Sequence, residues 1–86
     1  MSFKTRIEEK LTAAFQPASL EVIDESANHA GHSGWREGGE THFRVRIAAS
    51  AFTGKTRVET HRAINEALSA ELGERVHALA IEAKGL

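Results

Sequence analysis

The chain has 86 residues, 41% of them hydrophobic and 27% charged, with a formal net charge of -1 and no cysteine. That length predicts one domain, residues 1–86, with a modest core, and the missing cysteine excludes disulfide staples and thiol nucleophiles. The near-zero charge argues against a strongly cationic nucleic-acid surface. Neither a signal-peptide pattern nor a membrane-length apolar run is present, so the expectation is a cytoplasmic protein with no membrane partner.

Phe3, Ile7, Leu11, Ala14 and Phe15 recur at helical spacing, which predicts a first helix with Ser2 as its N-cap. Pro17 ends it, because the residue before a proline is pushed toward extended geometry. Leu20 to Ile23 reads as a short strand. From Ala27 to Gly39 there is no periodicity, and Gly31, Gly34, Gly38 and Gly39 mark a long loop. A loop of about a dozen residues in so small a domain is often functional. Thr41 to Ala49 alternates, with Phe43, Val45 and Ile47 on one face and His42, Arg44 and Arg46 on the other. That is the pattern of a half-buried strand, expected to pair antiparallel with the first.

Phe52 to Lys55 reads as a connector, and Thr56-Arg57-Val58-Glu59 matches a capping box. The second helix is expected to carry Val58, His61, Ile64, Asn65, Leu68 and Leu72 on one side and to end at Gly73. Val76 to Ala83 is apolar on both faces apart from Glu82, the pattern of a more buried strand. The order is helix, strand, strand, helix, strand. A right-handed crossover makes the last strand parallel to the second. The fold class is α+β, with two helices on one face of a three-stranded mixed sheet.

Five histidines, His29, His32, His42, His61 and His77, are the chain's candidate metal ligands. His29 and His32, three apart in the glycine-rich loop, can reach one ion; as an isolated pair they read better as exposed polar residues. His77 opens the last strand, where a displayed ligand and an edge residue with one satisfied ring nitrogen weigh equally. His61 falls within the second helix's apolar stripe and reads as structural, and His42 reads as a solvated residue of the polar strand face. Gly54-Lys55-Thr56 resembles the end of a phosphate-binding loop, but Ala49 stands where the pattern needs glycine. Lys55 and Arg57 at a helix start can meet a phosphate, with capping and solvation as the simpler reading. Trp35, next to Arg36, is either a partner anchor or a cover for the small core. No nucleophile elbow or paired loop carboxylates emerge, so the chain reads as a binding or adaptor module and not an enzyme.

Taken together, Glu25-Ser26, His29-Ala30-Gly31-His32, Glu40-Thr41-His42-Phe43, Phe52-Thr53-Gly54-Lys55-Thr56, His61-Arg62 and Val76-His77-Ala78-Leu79 resemble the BolA family over nearly the whole chain. One departure is Thr60-His61-Arg62, where the family usually has Arg-His-Arg. The resemblance implies a class II KH-like fold. Gly31-His32-Ser33-Gly34 has the spacing of the KH glycine loop but lies between strands, so RNA binding does not follow from the fold alone. The resemblance also implies a monothiol glutaredoxin partner and a shared [2Fe-2S] cluster. The partner side supplies a cysteine and a glutathione thiol; this chain supplies His77 and His29, with His32 the alternative loop ligand. No cofactor is then expected in the isolated chain, a monomer or weak homodimer when alone. Two thiolates and two imidazoles make a Rieske-like set, which raises the cluster's potential. The rival expectation, also carried by the resemblance, is a DNA-binding transcriptional regulator using Lys55, Arg57 and Arg62, aided by Arg44 and Arg46. A third is zinc or copper binding by the histidine loop alone.

Overall fold

Ser2 caps helix α1 (Phe3–Phe15) as its hydroxyl predicts: Oγ accepts the Thr5 N–H at 3.1 Å. The helix ends where Gln16 turns left-handed, φ 47°, and its N–H reaches the Thr12 carbonyl; Pro17 follows and carries no N–H to extend the ladder. The computed structural model describes residues 2–25, 42–76 and 78–86. After α1 come β1 (Ser19–Asp24), β2 (His42–Ala48), a short 3-10 turn (Ser50–Phe52), α2 (Arg57–Ala67), α3 (Ser69–Glu74) and β3 (Ala78–Lys84).

The sheet runs β1-β2-β3, antiparallel between β1 and β2 and parallel between β2 and β3. The fold is α+β with a mixed three-stranded sheet, as the element order required. Register puts Leu20, Val22, Phe43, Val45, Ile47, Leu79, Ile81 and Ala83 on one face. These residues meet Ile7 and Leu11 of α1 and Ile64 and Leu68, which are at most 1% exposed, in one core cluster. Phe15 closes the end of α1 against Phe52, ring centroids 4.8 Å apart. Burying several such side chains, each worth about 1.5–3 kcal/mol, supplies most of the drive to fold.

Three expectations are corrected. The most buried strand is β2, not the last one: β2 takes the centre of the sheet, while β3 is an edge strand whose residues are exposed or half-buried. Apolar composition on both faces of β3 reflects small alanines at an edge, not burial. The second helix does not run unbroken to Gly73. It breaks at Leu68 (φ -105°, ψ 17°) and restarts as α3, with Gly73 inside. Finally, the buried stripe of α2 is rotated from the expected one. Val58 is 57% exposed, whereas Thr60 is buried and its hydroxyl donates to the Thr56 carbonyl at 3.0 Å. A threonine that bonds back to the preceding turn hides its polarity, so hydropathy alone mislocates the stripe.

Candidate functional site

β1 ends, and β2 and β3 begin, at the same end of the sheet. The Glu25 N–H donates to the His42 carbonyl at 2.8 Å, and His42 stands opposite Ala78 in the parallel pairing. Adjacent strands lie about 4.8 Å apart, so these three chain positions span about 10 Å. The stretch that carries His29, His32 and Trp35 leaves this end after Glu25 and rejoins it before His42; position 77 directly precedes Ala78. His29, His32, Trp35 and His77 themselves lie outside the described residues. Among the described residues no group of three or more His, Asp or Glu side chains could hold a metal ion.

The chain enters β3 from a firmly held corner. The carbonyl of Glu71 accepts the N–H of Arg75 at 3.1 Å and of Val76 at 3.0 Å, and Val76 is buried in the core. The Glu71 side chain is fully buried and joined to α1: Arg6 Nη2 is 2.8 Å from Oε2 and Lys10 Nζ is 2.8 Å from Oε1. Arg6 also pairs with Glu74 at 2.9 Å and stacks over the Phe3 ring at 4.5 Å. Burial by itself pushes the Glu71 carboxyl up; the Lys10 contact, a bond from the Glu71 backbone N–H and the Arg6 contact outweigh it and hold the group below the usual carboxylate range. The sequence pattern, which shows no paired loop carboxylates, does not single out this group. The signal available was its spacing, seven residues after Ile64 and three after Leu68, on the inward side of the helical path.

The cationic candidates divide between two faces. Lys55, Arg57 and Arg62 are exposed around the start of α2. The N-terminus of that helix is already served by its own chain: Glu59 Oε1 accepts the Thr56 N–H at 2.9 Å, and Thr56 Oγ1 accepts the Glu59 N–H at 3.1 Å. The bond the Glu59 carboxyl receives from the Thr56 backbone, helped by the Thr56 side chain, holds it below its ordinary range, so a carboxylate occupies the place a phosphate would take. Arg44 and Arg46 lie on the sheet face away from the core. Arg44 pairs with Glu25 at 2.9 Å and Glu82 at 2.8 Å; Arg46 pairs with Glu82 at 3.2 Å and Glu21 at 3.3 Å. Alternating charges across the three strands thus give both arginines carboxylate partners, with which a phosphate would have to compete. His42, expected to be solvated, is only 5% exposed. It starts the central strand, which is covered more fully than its alternation suggests. His61 is half-buried on α2, as its place among apolar neighbours implied.

Comparison with known proteins follows the same fold. A family model described as BolA-like protein matches residues 11–85. An uncharacterized protein in the cobS 5' region of Sinorhizobium sp is 54% identical over 95% of this chain and 89% of its own length. The DNA-binding transcriptional regulator BolA of Escherichia coli (strain K12) is 47% identical over 94% of this chain and 73% of that protein. SufE-like protein 1, chloroplastic/mitochondrial, of Arabidopsis thaliana is 48% identical over 92% of this chain, which spans only 22% of that longer protein. The solved BolA domain of SufE1 from Arabidopsis thaliana superposes with a TM-score of 0.89 at 47% identity, covering 99% of this chain and 93% of that domain. Its topology, its mixed sheet and these matches together place the chain in the BolA-like family.

Proposed function

We propose that this chain is a non-enzymatic iron–sulfur adaptor that binds a monothiol glutaredoxin and shares a [2Fe-2S] cluster with it, in cluster trafficking or iron-status signalling. The observation that carries the reading is topological: the chain positions bracketing the stretch that carries His29 and His32 meet the start of β3 at one end of the sheet. His77 and His29 are the proposed ligands, with His32 the alternative. The donor chemistry fits a shared centre. A chain without cysteine offers imidazole nitrogen, and thiolate must come from the partner. When bound, the cluster supplies redox and iron-carrying capacity; this chain's part is to present neutral imidazoles, so binding weakens as pH falls through the histidine range. The test is to titrate the protein into cluster-loaded monothiol glutaredoxin and record visible circular dichroism. The mixture should acquire a new spectrum that His77→Ala removes; an unchanged spectrum with His77→Ala refutes the ligand assignment.

A second reading is a DNA-binding regulator. It is favoured by the exposed Lys55, Arg57 and Arg62 and by the relative in Escherichia coli that carries that name. Fluorescence anisotropy with duplex DNA at two salt concentrations separates the readings: phosphate contacts through these residues give an affinity that falls with salt. Affinity independent of Arg57→Ala and Arg62→Ala rules this surface out.

A further inference from the structure

We infer that the free edge of β3 is a self-association surface. Two copies of this chain pair antiparallel along β3 about a two-fold axis at Ala83, which joins two three-stranded sheets into one. The inference is independent of the adaptor reading.

β3 has seven residues, and among the described residues no strand lies beyond it. It carries no proline and no charge on its core-facing side, devices that commonly blunt an exposed edge. The Ala49 N–H donates to the Lys84 carbonyl at 3.1 Å, so the backbone groups of Lys84 face β2. Leu86 turns the same way, its N–H and carbonyl both meeting Thr53 Oγ1. Because direction alternates along an extended chain, the backbone groups of Leu79, Ile81, Ala83 and Gly85 point to the free edge. A two-fold pairing must set such outward residues against one another, which restricts where the axis can stand. An axis at Glu82 opposes two carboxylates. An axis at Ile81 sets Glu82 and Lys84 against alanines. An axis at Ala83 sets each Glu82 against Lys84 of the other copy and makes as many backbone bonds as the axis at Ile81, so the charges decide. Both side chains lie on the open face of the sheet, where Lys84 is exposed. Arg44 and Arg46 both bind Glu82 Oε2, which leaves Oε1 to accept from a lysine. The other edge strand, β1, carries Glu21 and Asp24 and no cation, so no register of β1 against itself pairs opposite charges. A net charge of -1 keeps long-range repulsion between two copies small.

The experiment follows the full chain by sedimentation equilibrium and by amide hydrogen exchange at low and high protein concentration. Association should slow exchange at Ile81, Ala83 and Gly85, while Leu79, beyond the paired segment, exchanges as before. Lys84→Glu should raise the dimer dissociation constant by about 10-fold, because two attractive cross-strand pairs become repulsive. Ala83→Pro removes an outward N–H at the axis and none that faces β2, so it should abolish association. Far-UV circular dichroism checks that each variant stays folded, and if Ala83→Pro unfolds the chain, Lys84→Glu and the exchange pattern still carry the test. A wild-type chain that stays monomeric up to about 1 mM overturns the inference. Concentration-dependent protection of Leu79 without Gly85 puts the axis at Ile81 and refutes the charge argument. Association that survives both Lys84→Glu and Ala83→Pro belongs to another surface and overturns the inference as well.

Discussion

The buried carboxylate of Glu71 gives the sharpest prediction about stability. Glu71→Ala removes the acceptor for Arg6 and Lys10, contacts of 2.8 to 3.0 Å. Hydrogen bonds to charged groups contribute about 1.5–3 kcal/mol each before offsets. Two offsets apply. The released Arg6 and Lys10 side chains are 28% and 40% exposed and rehydrate readily, and the alanine variant no longer bears the desolvation of the carboxylate. The net loss should be about 2 kcal/mol. In a domain this small each kcal/mol moves the thermal midpoint by about 4–8 °C, so the shift should be on the order of 10 °C. Glu71→Leu, which fills the same volume without a charge, should recover much of it. Acid adds an independent check. The Glu71 carboxyl lies below its ordinary value in the folded chain despite burial, because Lys10, the Glu71 backbone N–H and Arg6 together outweigh it; the Glu74 carboxyl is lowered chiefly by its hydrogen bond from Arg6. The unfolded chain then binds more protons as the solution is acidified. The contribution is complete above the ordinary carboxylate range, near pH 4–5, and is lost as pH falls through the lowered folded values. Urea unfolding from pH 7 to pH 3 should show wild type losing stability faster than Glu71→Leu. An alanine variant within about 0.5 kcal/mol of wild type, with parallel pH curves, would refute the argument that this ion cluster contributes net stability.

Three further outcomes follow from the geometry. A Cβ on Gly85 would lie 2.7 Å from Thr53 Cα and 2.9 Å from its nitrogen, so Gly85→Ala should cost about 1–3 kcal/mol in urea unfolding. Adding Thr53→Ala should not relieve it, because the nearest atoms are backbone. Thr56→Ala removes the hydroxyl that accepts the Glu59 N–H and should lower stability by about 1 kcal/mol, seen as a lower thermal midpoint. Val58→Lys should change stability by less than about 0.5 kcal/mol, since Val58 is 57% exposed. Thr60→Lys at the neighbouring buried position should be clearly destabilising by the same measurement, and equal effects at the two sites would contradict the observed rotation of α2.

Local chemistry makes much of this protein legible in its sequence. Ser2, Pro17 and the Thr56–Glu59 box act within a few residues of themselves, and each marks a helix boundary where the structure has one. Alternation placed β2, and the handedness of the crossover settled that β3 runs parallel to it. The BolA resemblance rested on residues spread along the whole chain, and the relatives and the solved BolA domain agree with it. What pattern could not supply was the neighbourhood of each element. Strand order decides burial, so a cleanly alternating strand became the buried centre and a more apolar one became an edge. Charge pairing likewise depends on which strands and helices lie side by side. Alternation alone presents Arg44 and Arg46 as lone cations; strand pairing sets Glu21, Glu25 and Glu82 beside them. Glu71 looked like one surface carboxylate among many until α1 closed over it with Arg6 and Lys10. Caps and periodicity are properties of a few consecutive residues and can be read from them. Burial and ion pairing belong to residues brought together from distant parts of the chain, 19 positions apart for Arg44 and Glu25 and 65 for Arg6 and Glu71, and only the packed chain determines which of them meet.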